Sequence, residues 1–143
     1  MIKVPIKEDF TNWKIRPFTK WLNYQCPQAW QLGCSVAVDE MNIRLKGHNL
    51  YKLRITYKSE GDGFQTDTLC DDGYFYQVYM QNEPSPKKYL KQGLSPLHYR
   101  TMALFHSLKE DHHQAGMDNL YNYADFYRAN YQRDLKVLCH SVA

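Results

Sequence analysis

Two acidic steps in this sequence carry the residue types of metal-ion chemistry. Asp39-Glu40 closes the apolar run Gly33 to Val38, and Asp118-Asn119 closes the short segment His113 to Met117. Metal-assisted phosphodiester chemistry needs carboxylates that converge from separate elements. Two Mg²⁺ ions about 3.5–4 Å apart then stabilise the attacking and leaving oxygens together. Such hard cations take oxygen ligands, and a bridging Asp suits them. If the two segments are neighbouring strands, Asp39 and Asp118 share an ion. Each acid alone also reads as a strand-end cap or turn residue, and spacing alone leaves both readings open.

Other polar groupings are weaker. His112-His113 follows Glu110-Asp111 and reads as a solvated turn. Cys139-His140 puts a thiol and an imidazole on opposite faces of a strand, so they make no nucleophile–base pair. Lys87-Lys88 is two lysines in a loop. Gly61-Asp62-Gly63 reads as a turn and precedes no helix, so it is no phosphate loop. Cys26, Cys34, Cys70 and Cys139 form no Cys-x-x-Cys pair and no zinc-finger spacing. Reduced, intracellular thiols are the expectation.

The elements that must hold the acids follow from pattern. Gly33 to Glu40 alternates as a strand, with Cys34, Val36 and Val38 on one face and Ser35, Ala37 and Asp39 on the other. A second strand is expected over Ile43 to Lys46 and a third over Tyr51 to Tyr57. Phe64 to Cys70 and Tyr74 to Met80 form a hairpin across Asp71-Asp72-Gly73. Ser95 caps a helix with Pro96 in its first turn. Leu97, Leu104, Phe105 and Leu108 lie on one face of it, and the helix is expected to reach about Glu110. After Asp118, Asn122 caps a helix with Asp125 in its first turn and Tyr123, Phe126, Tyr127 and Asn130 on one face. Leu135 to Cys139 is a last strand.

Residues 1–30 form a separate, basic, aromatic lead-in. They hold Lys3, Lys7, Lys14, Arg16 and Lys20 against Glu8 and Asp9, while the whole chain carries a net charge of +3. Any electrostatic contribution to phosphate binding is expected there. The lead-in is irregular or short-helical, with Phe18, Trp21 and Leu22 at helical spacing and its aromatics packed on a larger body. A length of 143 residues with 43% hydrophobic residues suits one packed domain. No leader peptide and no apolar run of membrane-spanning length is evident. Antiparallel strands, then helix, strand, helix, strand, make a mixed-sheet α/β chain.

The residues also carry a family resemblance. Ser35-Val36-Ala37-Val38-Asp39-Glu40-Met41 followed by Arg44-Leu45-Lys46-Gly47 resembles a piggyBac transposase signature. Gly73-Tyr74 opening an aromatic strand that ends near Val78-Tyr79 resembles the family's Gly-Tyr segment. Met117-Asp118-Asn119 with Tyr121 resembles its second signature. The likeness covers roughly Trp30 to Ala143. Gly61 to Gln65 and Pro86 to Leu90 look like the piggyBac-derived proteins of diatoms.

The resemblance implies a partial RNase H-like catalytic core over residues 31–143 and a DDE mechanism. Asp39 maps onto the first catalytic, metal-binding aspartate and Asp118 onto the second, with Mg²⁺ or Mn²⁺ as cofactor. It implies DNA as partner, in the form of transposon ends and a TTAA-type target. It also implies a homodimer in the complete protein and a nuclear location. Glu40 and Asn119 would orient ligands or bound water. The family's third acid lies beyond Ala143, so a fragment is expected. The alternative is a non-catalytic, transposon-derived remnant that binds DNA or protein. The family's Lys-Pro step and Gly-x-Lys are replaced here by Lys58-Ser59 and Gly63-Phe64-Gln65.

Overall fold

The computed structural model describes residues 12, 15–48, 52–54, 56, 61–83, 94–106, 108, 113–121, 124–131 and 136–139. Helix α1 spans Arg16–Ala29, with Pro17 in its first turn, where a fixed φ helps and no N–H is needed. Strands β1 (Ser35–Arg44), β2 (Leu53–Arg54), β3 (Asp62–Asp71) and β4 (Tyr74–Met80) follow. Helix α2 (Pro96–Phe105), strand β5 (Gln114–Met117), a 3₁₀ turn (Asn119–Tyr121), helix α3 (Ala124–Tyr131) and strand β6 (Lys136–Cys139) complete the order.

The strands make one mixed sheet. Its spatial order is β2-β3-β1-β5-β6, and β4 also pairs with β3. The β1–β3 and β3–β4 pairs are antiparallel, whereas β5 joins β1, and β6 joins β5, in parallel. The antiparallel half comes first in the chain and the helix-connected parallel half second, as the pattern of elements implies.

Asp-Gly chemistry closes the β3–β4 hairpin. Asp72 and Gly73 have φ of 46° and 75°, the left-handed pair that a two-residue hairpin turn needs. The opposite edge of β4 is capped by a side chain. Asn23 of α1 donates to the Val78 carbonyl and accepts from the Val78 N–H, both at 2.8 Å. Its amide stands in for a neighbouring strand and blunts the edge.

One sheet face carries Val36, Val38, Leu69, Ala115 and Met117 into the core, against Met102, Leu104 and Phe105 of α2 and Phe126 of α3. Each such fully buried large side chain contributes about 1.5–3 kcal/mol through removal from water. Helix α2 is buried on nearly every side, with His98, Tyr99, Arg100, Thr101 and Met102 inside as well. It was therefore not the one-sided helix that its leucine spacing suggested. Ser95 caps it by accepting from the His98 N–H.

Several expected boundaries differ. Ile43 to Lys46 is not a separate strand. β1 runs unbroken to Arg44, because Ala37 to Arg44 all pair with Gly63 to Cys70 in one register. Gly61-Asp62-Gly63 is not wholly a turn, since β3 starts at Asp62. Gly63 is required there: a Cβ would overlap the Ile43 carbonyl oxygen of the partner strand. Helix α2 stops at Phe105 rather than near Glu110. The Leu108 N–H bonds the Phe105 carbonyl and tucks Leu108 into the core. Of the strand expected over Tyr51 to Tyr57, the described part is the short β2, Leu53–Arg54; Tyr51, Ile55, Tyr57, Glu110 and Asn122 lie outside the described residues.

The lead-in holds a full helix of 14 residues. Phe18, Trp21 and Tyr24 on it are exposed rather than packed. The side of α1 that meets β4 carries Thr19, Leu22, Asn23 and Cys26, and a 100° step per residue turns Phe18 and Trp21 away from it. No described helix is long and apolar enough to cross a membrane.

Candidate metal site on two neighbouring strands

Register brings the two expected acids together. Val36 pairs with Ala115 and Val38 with Met117 across the parallel β1–β5 ladder. Asp39 and Asp118 are each the next residue. Parallel partners point to the same face, so both acids turn to the face opposite the core. Neighbouring strands lie about 4.8 Å apart. Both side chains are exposed. Asp118 follows the last residue of β5, whereas Asp39 lies mid-way along β1 and not at its end, because the ladder to β3 carries β1 on to Arg44.

The local geometry of the two is the same. Asp39 Oδ1 accepts from the Glu40 N–H at 2.7 Å, and Asp118 Oδ1 accepts from the Asn119 N–H at 2.6 Å. Each carboxylate is oriented by the backbone that follows it. This donor set is all oxygen, solvent-accessible and paired, which fits a hard divalent cation.

Beneath the acids, on the core face, lies a buried polar hub. Asp67 of β3 is fully buried and pairs across the sheet with Glu40. Its Oδ2 accepts from Arg100 Nε of α2 at 2.6 Å. Its Oδ1 accepts from Tyr121 Oη and from Gln81 Nε2, both at 3.1 Å. Gln81 Nε2 also reaches Glu40 Oε1 at 3.3 Å. A buried carboxylate is tolerated when paired and hydrogen-bonded in this way. Burial, with the Asp67 charge next, pushes the Tyr121 phenol far up, so Tyr121 remains a donor.

The hub reaches both acids. The Tyr121 N–H bonds the Asp118 carbonyl at 3.0 Å and closes the 3₁₀ turn behind the second acid. Glu40 follows the first acid directly. Asp67 thus ties α2, the end of β4 and the turn after β5 to one point below the pair.

A second buried acid sets the start of β1. Asp71 Oδ2 accepts from the Gly33 N–H at 2.7 Å and from Trp30 Nε1 at 3.0 Å. The Gly33 bond, then the Trp30 bond, hold the Asp71 carboxyl below its usual range. The Trp30 ring stacks on Tyr74 with centroids 4.6 Å apart. His113 Nδ1 bonds the Gly33 carbonyl at 2.8 Å, and the Gln114 N–H bonds the Cys34 carbonyl at 2.6 Å. These contacts align the starts of β1 and β5, and therefore the level at which Asp39 and Asp118 follow. His113 is half-buried and partnered, not part of a solvated turn.

A sequence-family model described as "Transposase IS4" matches residues 7–138. The chain belongs to the IS4 transposase family. Its fold is similar to that of a piggyBac transposase in a solved synaptic complex with hairpin DNA. The TM-score is 0.75 at 17% identity, over 92% of this chain and 27% of that one. The transposase domain described here thus spans about a quarter of that protein's length. No curated protein sequence matched the chain.

The expected mixed α/β fold and piggyBac-like transposase relationship hold. The family match crosses the expected boundary at residue 30. Sequence reasoning did not find Asp67, Arg100, Gln81 or Asp71 as parts of the site's support. The available signal was an acid inside the alternating run Phe64 to Cys70, on the face that carries Leu69. The side chains of Lys87, Lys88, His112 and His140 lie outside the described residues.

Proposed function

We propose that this transposase domain supplies the first two metal-binding carboxylates, Asp39 and Asp118, of a piggyBac-like DDE catalytic core. The observation that carries the reading is the Val38–Met117 pair, after which both acids follow at one level and on one face of adjacent strands. The family match and the piggyBac-like fold support it.

A Mg²⁺ or Mn²⁺ ion held there supplies Lewis acidity toward a phosphodiester. Asp39 and Asp118 bind the ion through carboxylate oxygens. The Glu40 and Asn119 N–H groups orient those carboxylates. The Asp67 hub keeps the turn after Asp118 from drifting. A third acid completes the DDE set in the complete protein. Residues 31–143 form the core in this reading, with 1–30 as a lead-in against it.

DNA is the partner, as transposon ends and a TTAA-type target. The solved relative is a DNA-bound synaptic complex. Assembly as a homodimer and work in the nucleus belong to the same proposal for the complete protein.

A nicking assay tests the reading. The complete protein, which carries the third acid, is incubated with supercoiled DNA containing TTAA sites and Mn²⁺. Metal-dependent nicking that disappears in Asp39→Ala and in Asp118→Ala is expected. Nicking that persists in both variants overturns the assignment of the acids. No nicking by the complete wild-type protein transfers the domain to the alternative, a non-catalytic DNA- or protein-binding module.

A further inference from the structure

β3 carries two threonines on the face that holds the acids, and they differ. Thr66 is opposite Met41, and its hydroxyl donates to the Met41 carbonyl at 3.1 Å. Thr68 is directly opposite Asp39. It is 2% exposed, and its Oγ1 has no hydrogen-bond partner among the described residues. A buried hydroxyl without a partner is destabilising, and valine would fill the same volume without that penalty.

The register says what the hydroxyl is near. Directly opposed residues on an antiparallel pair have Cβ atoms about 4.5–5.5 Å apart. The side chain beside Thr68 on β1 is therefore Asp39. Cys70 lies close as well, since the Asp39 charge adds to burial in raising its thiol pKa. A carboxylate at the rim and an unsatisfied donor below it form a half-made contact.

We infer that Thr68 is a positioning residue for the metal site: its hydroxyl donates to the Asp39 carboxylate when that carboxylate turns onto a divalent ion. Asp39 then holds two orienting bonds, one from the Glu40 N–H and one from Thr68. Outer groups of this kind set the direction and basicity of a metal ligand. The arrangement explains why a hydroxyl sits at a buried strand position. The inference rests on the metal reading of Asp39 and goes beyond it to a residue outside the family's acidic motifs.

The test uses Mn²⁺ alone on the 143-residue chain, with affinity read by electron paramagnetic resonance and stability by thermal melting. The variants are Thr68→Val, Thr68→Ser and Asp39→Asn. Thr68→Val is expected to melt at or above the wild-type temperature and to bind Mn²⁺ about tenfold more weakly. Thr68→Ser is expected to restore most of the affinity, because it restores the hydroxyl. Asp39→Asn reports whether the ion is at this site. Wild-type binding that depends on Asp39 but is unchanged in Thr68→Val overturns the Thr68 assignment and leaves the metal reading intact. Binding that ignores Asp39→Asn overturns both. A Thr68→Val chain that melts lower and binds Mn²⁺ as tightly assigns the hydroxyl a structural role and also overturns the inference.

Discussion

Val38 and Met117 face each other across two parallel strands, and this pair places Asp39 beside Asp118. The placement depends on period as much as on proximity. A slip of one residue in either strand would turn one acid into the core and leave the other outside. The register is protected at both ends. Asp71 and His113 tie down the strand starts, and the Asp67 hub ties down the turn after Asp118.

Loss of the hub acid is expected to destabilise the fold strongly. Asp67→Asn leaves the Arg100 guanidinium buried without its charge partner, and breaking such a pair costs about 3–5 kcal/mol. Urea denaturation measures this. The double variant Asp67→Leu/Arg100→Met is expected to recover part of the loss, because apolar residues of similar volume replace buried ion pairs well. Recovery stays incomplete, since Tyr121 and Gln81 lose their shared acceptor.

Stability is expected to fall as pH drops through the histidine range. Burial holds His98 below its ordinary value of 6.5, against a hydrogen bond to the Tyr121 backbone that raises it. The unfolded chain therefore takes up a proton near pH 6.5 that the native state refuses. The stabilising contribution is complete above that pH and is lost as pH falls toward the native value. Melting temperatures at pH 7.5 and 5.5 are expected to differ less in His98→Gln than in the wild type. An equal difference would show that His98 is not the linked group.

Thiol reactivity is expected to report on Asp39. Burial, then the Asp39 charge, pushes the Cys70 thiol up and keeps it protonated. Cys34, which is exposed, is expected to alkylate first. In Asp39→Asn, Cys70 is expected to react a few-fold faster, because a repelling charge is gone and the thiolate is the nucleophile. Mass spectrometry of the labelled peptides follows each site. An unchanged Cys70 rate would place Asp39 too far away to act.

Sequence and structure part company in instructive places. That Asp39 and Asp118 fall on neighbouring strands followed only in part from the sequence: Asp39 sits in an alternating run that assigned it the face opposite Val36 and Val38, whereas His113 to Met117 before Asp118 is short and only weakly strand-like. The hairpin was legible from Asp72-Gly73, and the α2 start from Ser95-Pro96. Asp67 was not, because a single acid in a strand pattern looks solvent-facing until Arg100 and Tyr121 converge on it from 33 and 54 residues away. The unbroken β1 was missed because its polar residues after Asp39 resemble a turn. Only the ladder to β3 shows that they continue the strand. The exposure of Phe18 and Trp21 depends on which stripe of α1 meets β4, and Asn23 decides that through Val78.

The shared ion is the central claim, and Mn²⁺ affinity in a double-mutant cycle tests it most directly. Binding is measured by electron paramagnetic resonance for wild type, Asp39→Asn, Asp118→Asn and the double variant. If both carboxylates hold one ion, either single substitution removes most of the affinity and the second adds little, a strongly non-additive cycle. Independent, additive losses, or binding that survives both substitutions, would contradict the account.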